Sequence, residues 1–149
     1  MDMVRRNTDY ALRAMVNLAE HYQNQPLSTR KIAAEEDIPY QLACKLMQKL
    51  HNAKLVKSFM GPKGGFRLNK DPSSISLLQV IEAIQGPVRL NRCLLGRDVC
   101  SQQKRCKVRM KLADLGQSIK RYLGGVTLDE LARARSPKQK GQHDRRRKR

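Results

Sequence analysis

Three features of this 149-residue chain predict a mainly α fold with a small β-hairpin wing, that is, a winged helix-turn-helix plus a long C-terminal dimerisation helix. Two short helical stretches meet at a tight turn, the second led in by Pro39. Two β-like runs then flank a glycine-rich turn at 61–65. Finally, a helical stretch near 107–123 carries an apolar stripe longer than so small a domain covers by itself.

The first helix is expected over residues 8–22. Thr8 is its candidate cap, Asp9 suits its positive end, and Leu12, Met15, Val16, Ala19 and Tyr22 recur at helical spacing. A polar break with Pro26 follows. Ser28 opens a short helix, Thr29 to Glu36, with Ile32 and Ala33 inward. After Asp37-Ile38-Pro39 a third helix runs to about Asn52 on a buried stripe of Leu42, Leu46 and Leu50. With that stripe inward, its outer face presents Tyr40, Gln41, Cys44, Lys45 and Gln48. Gln pairs with adenine in a major groove and Lys with guanine or phosphate. Ser28 and Thr29, at the head of the preceding helix, complete the candidate contacts of this pair. The β-like runs 55–60 and 66–68 enclose Gly61-Pro62-Lys63-Gly64-Gly65. Glycine supplies the positive φ of a tight hairpin, and Lys63 stands at the tip. Lys63, Gly64 and Arg67 are the wing's candidate DNA contacts.

Ser76-Leu77-Leu78-Gln79 fits a capping box opening a helix through Ile84, which Gly86-Pro87 ends. A cysteine-bearing loop spans about 88–106. The long helix, about 107–123, carries Val108, Leu112, Leu115, Ile119 and Leu123, and a partner helix from a second subunit is expected to cover them. Thr127-Leu128-Asp129-Glu130 is a second capping box, starting a short helix to about Ala134. From Arg135 on there is no apolar residue, and a disordered tail is expected. The chain thus divides into a DNA-binding region (1–87), a cysteine loop (88–106), a dimerisation helix with a short C-terminal helix (107–134) and a basic tail (135–149).

Charge narrows the partners. Lys plus Arg number 31 against 13 Asp plus Glu, a formal +18. Residues 133–149 hold nine Lys or Arg and one Asp, a net +8, so 22 basic and 12 acidic residues, net +10, remain over 1–132. The body is basic in its own right, which points to a polyanion, double-stranded DNA foremost. No apolar run approaches a membrane span. The first residues have no apolar h-region, since Asp9, Arg13, Asn17 and Glu20 interrupt it, so a cytoplasmic protein is expected. No nucleophile–base pair, paired acids or phosphate-cradling loop suggests an enzyme.

In a reducing compartment four cysteines read as metal-binding or redox-active. Cys93, Cys100 and Cys106 lie within 14 residues, separated by six and five, in a polar loop able to converge three thiolates. Arg92, Arg97, Lys104, Arg105, Lys107 and Arg109 surround them; such cations favour the thiolate and offset the negative charge of an iron–sulfur cluster. The spacings are too wide for the paired C-x2-C knuckles of structural zinc. An iron–sulfur cluster is therefore the leading occupant, with a purely thiol-based site as the alternative. Cys44 falls in the third helix and is the wrong candidate, and His21, His51 and His143 read as ordinary surface or helix-end residues.

Taken together, these segments resemble the Rrf-2 family of winged-helix transcription regulators, in its iron–sulfur and nitric-oxide-sensing branch. The resemblance covers about residues 4–132. It rests on Thr8 through Arg13, Ile32-Ala33, Ile38-Pro39, Gly61 through Leu68, Ser76 through Ile84, the three-cysteine loop and Thr127 through Leu131. It implies a homodimer paired through the long helix, with a cluster near that interface, [2Fe–2S] preferred and [4Fe–4S] the alternative, tuning DNA affinity. The first cysteine interval is one residue longer than the family's usual five. Arg109 stands where related members place a ligand His, and Met60 where they often carry an Arg. Asp9 falls where some members recruit a carboxylate, making it the candidate fourth ligand; otherwise it is a helix-start acid. Two further readings stand beside this one: a cluster-free thiol regulator of the same fold, and a basic RNA- or ribosome-associated protein.

Overall fold

A computed structural model of the chain describes residues 3–94 and 100–134. The segments fall in the expected order. The first helix, α1, is Arg6–Glu20, two residues ahead of its expected place at each end. Thr8 is not its cap. It lies fully buried in the first turn, where its hydroxyl donates to Gln85 Oε1 at 2.7 Å. The same oxygen accepts the Arg5 backbone N–H at 3.1 Å, and Gln85 Nε2 donates to Met3 O at 2.8 Å. A side chain from a distant helix thus ties down the entry of α1, taking the Arg5 N–H and the Thr8 hydroxyl on one oxygen. Ala11, Ala14, Met15, Leu18 and Ala19 form the buried face.

Helix α2 (Thr29–Glu35) is capped as expected: Ser28 Oγ accepts the Lys31 N–H at 3.2 Å. Fully buried Asn17 donates from Nδ2 to Glu35 Oε2 and Glu36 Oε1, both at 2.8 Å, locking α2 to α1. Asp37, at φ +52°, turns the chain into α3 (Tyr40–Asn52). The inward face of α3 is Ala43, Leu46, Met47 and Leu50, with Leu42 half-buried. A strict spacing of four drifts about 40° per step around a helix of 3.6 residues per turn, so the expected Leu42 stripe slides off the core.

Strands β1 (Val56–Phe59) and β2 (Gly65–Leu68) pair antiparallel, Val56 opposite Leu68 and Phe59 opposite Gly65. Leu27 joins them: its N–H donates to Phe66 O at 3.0 Å and its carbonyl accepts the Phe66 N–H at 2.8 Å. Gly65 is required by this approach, because a Cβ there would stand 2.2 Å from Leu27 O. Helix α4 (Leu77–Gln85) opens on the full Ser76–Gln79 capping box and ends at Gly86, φ +84°. A 3-10 turn, Pro72–Ser74, precedes it, capped by Asp71. The Ser73 hydroxyl, and then its backbone N–H, hold the Asp71 carboxyl below its usual range.

Helix α5 (Lys107–Gly125) leads to α6 (Leu128–Ala134), where Thr127 Oγ1 accepts the Glu130 N–H at 3.3 Å. The Leu128 N–H bonds to Ile75 O and the Leu77 N–H to Val126 O, each at 2.9 Å, so α6 closes the core beside α1. Met15, Ile32, Met47, Leu50, Ile75, Ile81 and Leu128 are its largest fully buried apolar side chains along with Val56 and Val80. In contrast, α5 has no buried residue. The expected disorder of 135–149 and the middle of the cysteine loop, 95–99, lie outside the described residues.

Candidate nucleic-acid interface and cysteine loop

The outer face of α3 is polar and basic. Gln41, Lys45, Gln48 and Lys49 are exposed and Cys44 half-buried. The Arg30 guanidinium lies over the Tyr40 ring, 4.8 Å from its centre, joining the start of α2 to the start of α3. Gln48 Nε2 donates to Asn52 Oδ1 at 3.4 Å, a long bond. Of the α2 candidates, Thr29 is half-buried and Ser28 is exposed while serving as the cap.

At the end of α3, His51 Nδ1 meets Val56 O at 3.3 Å, tying the helix to the wing. The wing turn is closed by the Gly64 N–H on Gly61 O at 2.9 Å, and Lys63 projects from it. Gly64 cannot be replaced without strain, since a Cβ would lie 2.2 Å from Phe59 O. Arg67 is partly committed elsewhere: its Nη2 donates to Tyr22 O at 3.1 Å, anchoring the wing to the end of α1. Lys57 sits opposite Arg67, beside a cavity of about 470 Å³ lined by Tyr22, Gln23, Lys57, Phe59, Arg67, Leu68 and Asn69. Arg30, Lys49 and Lys57 escaped the sequence reading. Carrying the helical face one more turn from Lys45 would have found Lys49, whereas the Arg30–Tyr40 stack depends on tertiary geometry.

The cysteines are only partly gathered. Cys106 caps α5, its sulfur accepting the Arg109 N–H at 3.3 Å. The Arg109 side chain reaches back, Nε to Cys93 O at 3.2 Å, and Arg89 Nη1 donates to Leu94 O. One arginine therefore touches both outer cysteines, occupying the position where the resemblance placed a histidine ligand. Cys100 is exposed, at the head of a turn whose Gln103 N–H bonds back to its carbonyl at 3.1 Å. Among the described residues no group of three or more His, Cys, Asp or Glu stands close enough to hold a metal ion. Asp9 is exposed in the first turn of α1, its carboxylate 3.5 Å from Arg13 Nε. The donor chemistry still fits an iron–sulfur cluster: soft sulfur donors, cations around them, and a helix N-terminus facing one sulfur.

Helix α5 leaves an apolar seam uncovered. Val108, Leu115 and Tyr122, seven residues apart, are 65%, 51% and 73% exposed, with Leu112 and Ile119 half-buried between them. Among the described residues no helix is long and apolar enough to cross a membrane.

The family model described as Rrf2, iron-dependent transcriptional regulator, matches residues 4–134. The HTH-type transcriptional regulator IscR of Vibrio campbellii is 35% identical over 122 residues, 82% of this chain and 72% of that protein. Among solved structures, CymR (YrzC), the global cysteine regulator of B. subtilis, superposes with a TM-score of 0.75 at 26% identity, covering 91% of this chain and all of that one. The fold is also that of T. potens IscR, TM-score 0.74 at 24% identity, over 94% of this chain and 93% of that one.

Proposed function

This chain belongs to the Rrf2 family of winged-helix transcriptional regulators, and we propose that it acts as a homodimer whose grip on its operator is set by an iron–sulfur cluster. DNA binding and transcriptional control come with the family; the dimer, the cluster and the residue roles are the proposal. Gln41, Lys45 and Gln48 on α3 read base edges, helped by Tyr40 and Cys44, while Ser28, Thr29, Lys63, Gly64 and Arg67 position the protein on phosphates. Region 1–87 carries these contacts, 88–106 the cluster, 107–134 the subunit pairing and 135–149 a non-specific hold on DNA.

Cys93, Cys100 and Cys106 would hold the cluster, which supplies a centre that changes charge or is lost under redox or nitric-oxide stress. The observation that carries this reading is Arg109, bonded to Cys93 O and, through its N–H, to Cys106 Sγ, so that the two ends of the loop meet at the head of α5. Asp9 is the proposed fourth ligand, contributed from one protomer to its partner's loop. A carboxylate is a harder donor than thiolate and would keep the cluster labile. The cluster-free thiol reading is favoured by one observation, the separation of the three cysteines from a common metal-holding group.

Anaerobic purification with iron and sulfide reconstitution separates the two. Brown protein whose visible spectrum disappears in Cys93→Ala, Cys100→Ala and Cys106→Ala, survives in Cys44→Ala and decays faster in Asp9→Ala supports the cluster. Colourless protein after reconstitution, with thiols that still control DNA binding, gives the thiol reading.

A further inference from the structure

The wing carries an apolar side chain where a DNA-facing surface is otherwise basic. Met60 is 95% exposed, more than any other large apolar side chain among the described residues, and its neighbour Phe59 is 42% exposed. The backbone beneath it is stiff. The Gly61–Gly64 turn is closed by its own hydrogen bond, Pro62 fixes one φ, and Gly64 is packed against Phe59 O. Lys57 and Lys63 lie on the same hairpin, and the His51–Val56 contact makes this prong continuous with the α3 face. A flexible thioether on a rigid prong, flanked by cations, suits a polyanion with an apolar interior. A duplex offers that at an opened base step, and a hairpin beside a helix seated in the major groove overlies the adjacent minor groove.

We infer that Met60 is a wedge: it enters the minor groove beside the α3 contacts and partly unstacks one base step, with Lys57 and Lys63 on the flanking phosphates. The wedge selects a pyrimidine–purine step, which unstacks most readily, and bends the duplex away from itself. A cation at this position would act differently, favouring a narrow A-tract groove through its negative potential. The chain is therefore specific at a position that makes no base-edge hydrogen bond. This rests on the DNA docking proposed above.

The test uses the full-length protein and a duplex selected from a random library by the wild type, with 2-aminopurine placed at each step in turn and bending read by circular-permutation gel shift. Met60→Ala, exposed and so harmless to the fold, is expected to weaken the selected duplex roughly tenfold, to spare random DNA, and to lose both the bend and the 2-aminopurine signal. Met60→Arg is expected to rebind but to reselect A-tract sites. Unchanged affinity and bending in Met60→Ala would overturn the wedge and leave Met60 to a protein partner. Gln41→Ala is the control: if it also leaves operator affinity unchanged, the docking itself is wrong, whereas an effect in Gln41→Ala alone condemns only the wedge.

Discussion

Gln85 shows how far a single side chain can act from its place in the sequence. From the end of α4 it receives the Arg5 N–H and the Thr8 hydroxyl and donates to Met3 O, so the entry of α1 depends on it. Gln85→Ala would leave the buried Thr8 hydroxyl and the Arg5 N–H without that acceptor, a loss of about 1–3 kcal/mol of folding stability. Urea denaturation measures it; an unchanged midpoint would mean that water replaces the clamp. Thr8 was readable as a helix-start residue because local spacing marks such positions, and Ser28 and Ser76 proved true caps on the same logic. What local spacing cannot convey is that a residue 77 positions away competes for the role. The same holds for Arg109: the sequence shows that it cannot ligate a metal, but not that it would bridge Cys93 and Cys106.

Among the α-helices of the described residues, α5 alone has no buried residue. Its five seam residues, Val108, Leu112, Leu115, Ile119 and Tyr122, alternate at intervals of four and three, the spacing of a coiled-coil seam. The sequence pattern ended the stripe at Leu123; in the fold Leu123 is half-buried, as Leu112 and Ile119 are, and its neighbour Tyr122 is exposed. If this seam pairs two protomers, Leu115→Asp and Tyr122→Asp should each raise the dimer dissociation constant about 30-fold or more, as loss of a central interface residue does. Sedimentation equilibrium reads that change. Far-ultraviolet circular dichroism should stay the same, since no residue of α5 is buried within its own protomer. A dimer that survives both substitutions places the interface elsewhere. The wing, by comparison, was legible almost to its residue limits, because its glycines are demanded by backbone geometry that any observer of the sequence can anticipate.

At the scale of the molecule, charge and shape divide the labour of binding. The net +18 draws DNA of any sequence, and the 14 residues after Arg135 hold seven of the cations. Each phosphate neutralised adds about 0.9 to the salt dependence of binding. Truncation after Arg135 is therefore expected to lower the slope of log K against log salt by up to roughly six, while preference for the selected duplex persists. Fluorescence anisotropy over a salt series decides it, and loss of discrimination would move sequence recognition into the tail. Between wing and helix, shape takes over. Leu27 is bonded to Phe66 in both directions and leads directly into Ser28, the cap of α2, so the hairpin and the helix pair form one piece. The span from the face of α3 to the tip of the wing is consequently fixed, and the protein works on DNA as a caliper with locked jaws. Base changes under one jaw weaken the grip by degrees, but a base pair inserted between the jaws carries one contact out of reach altogether.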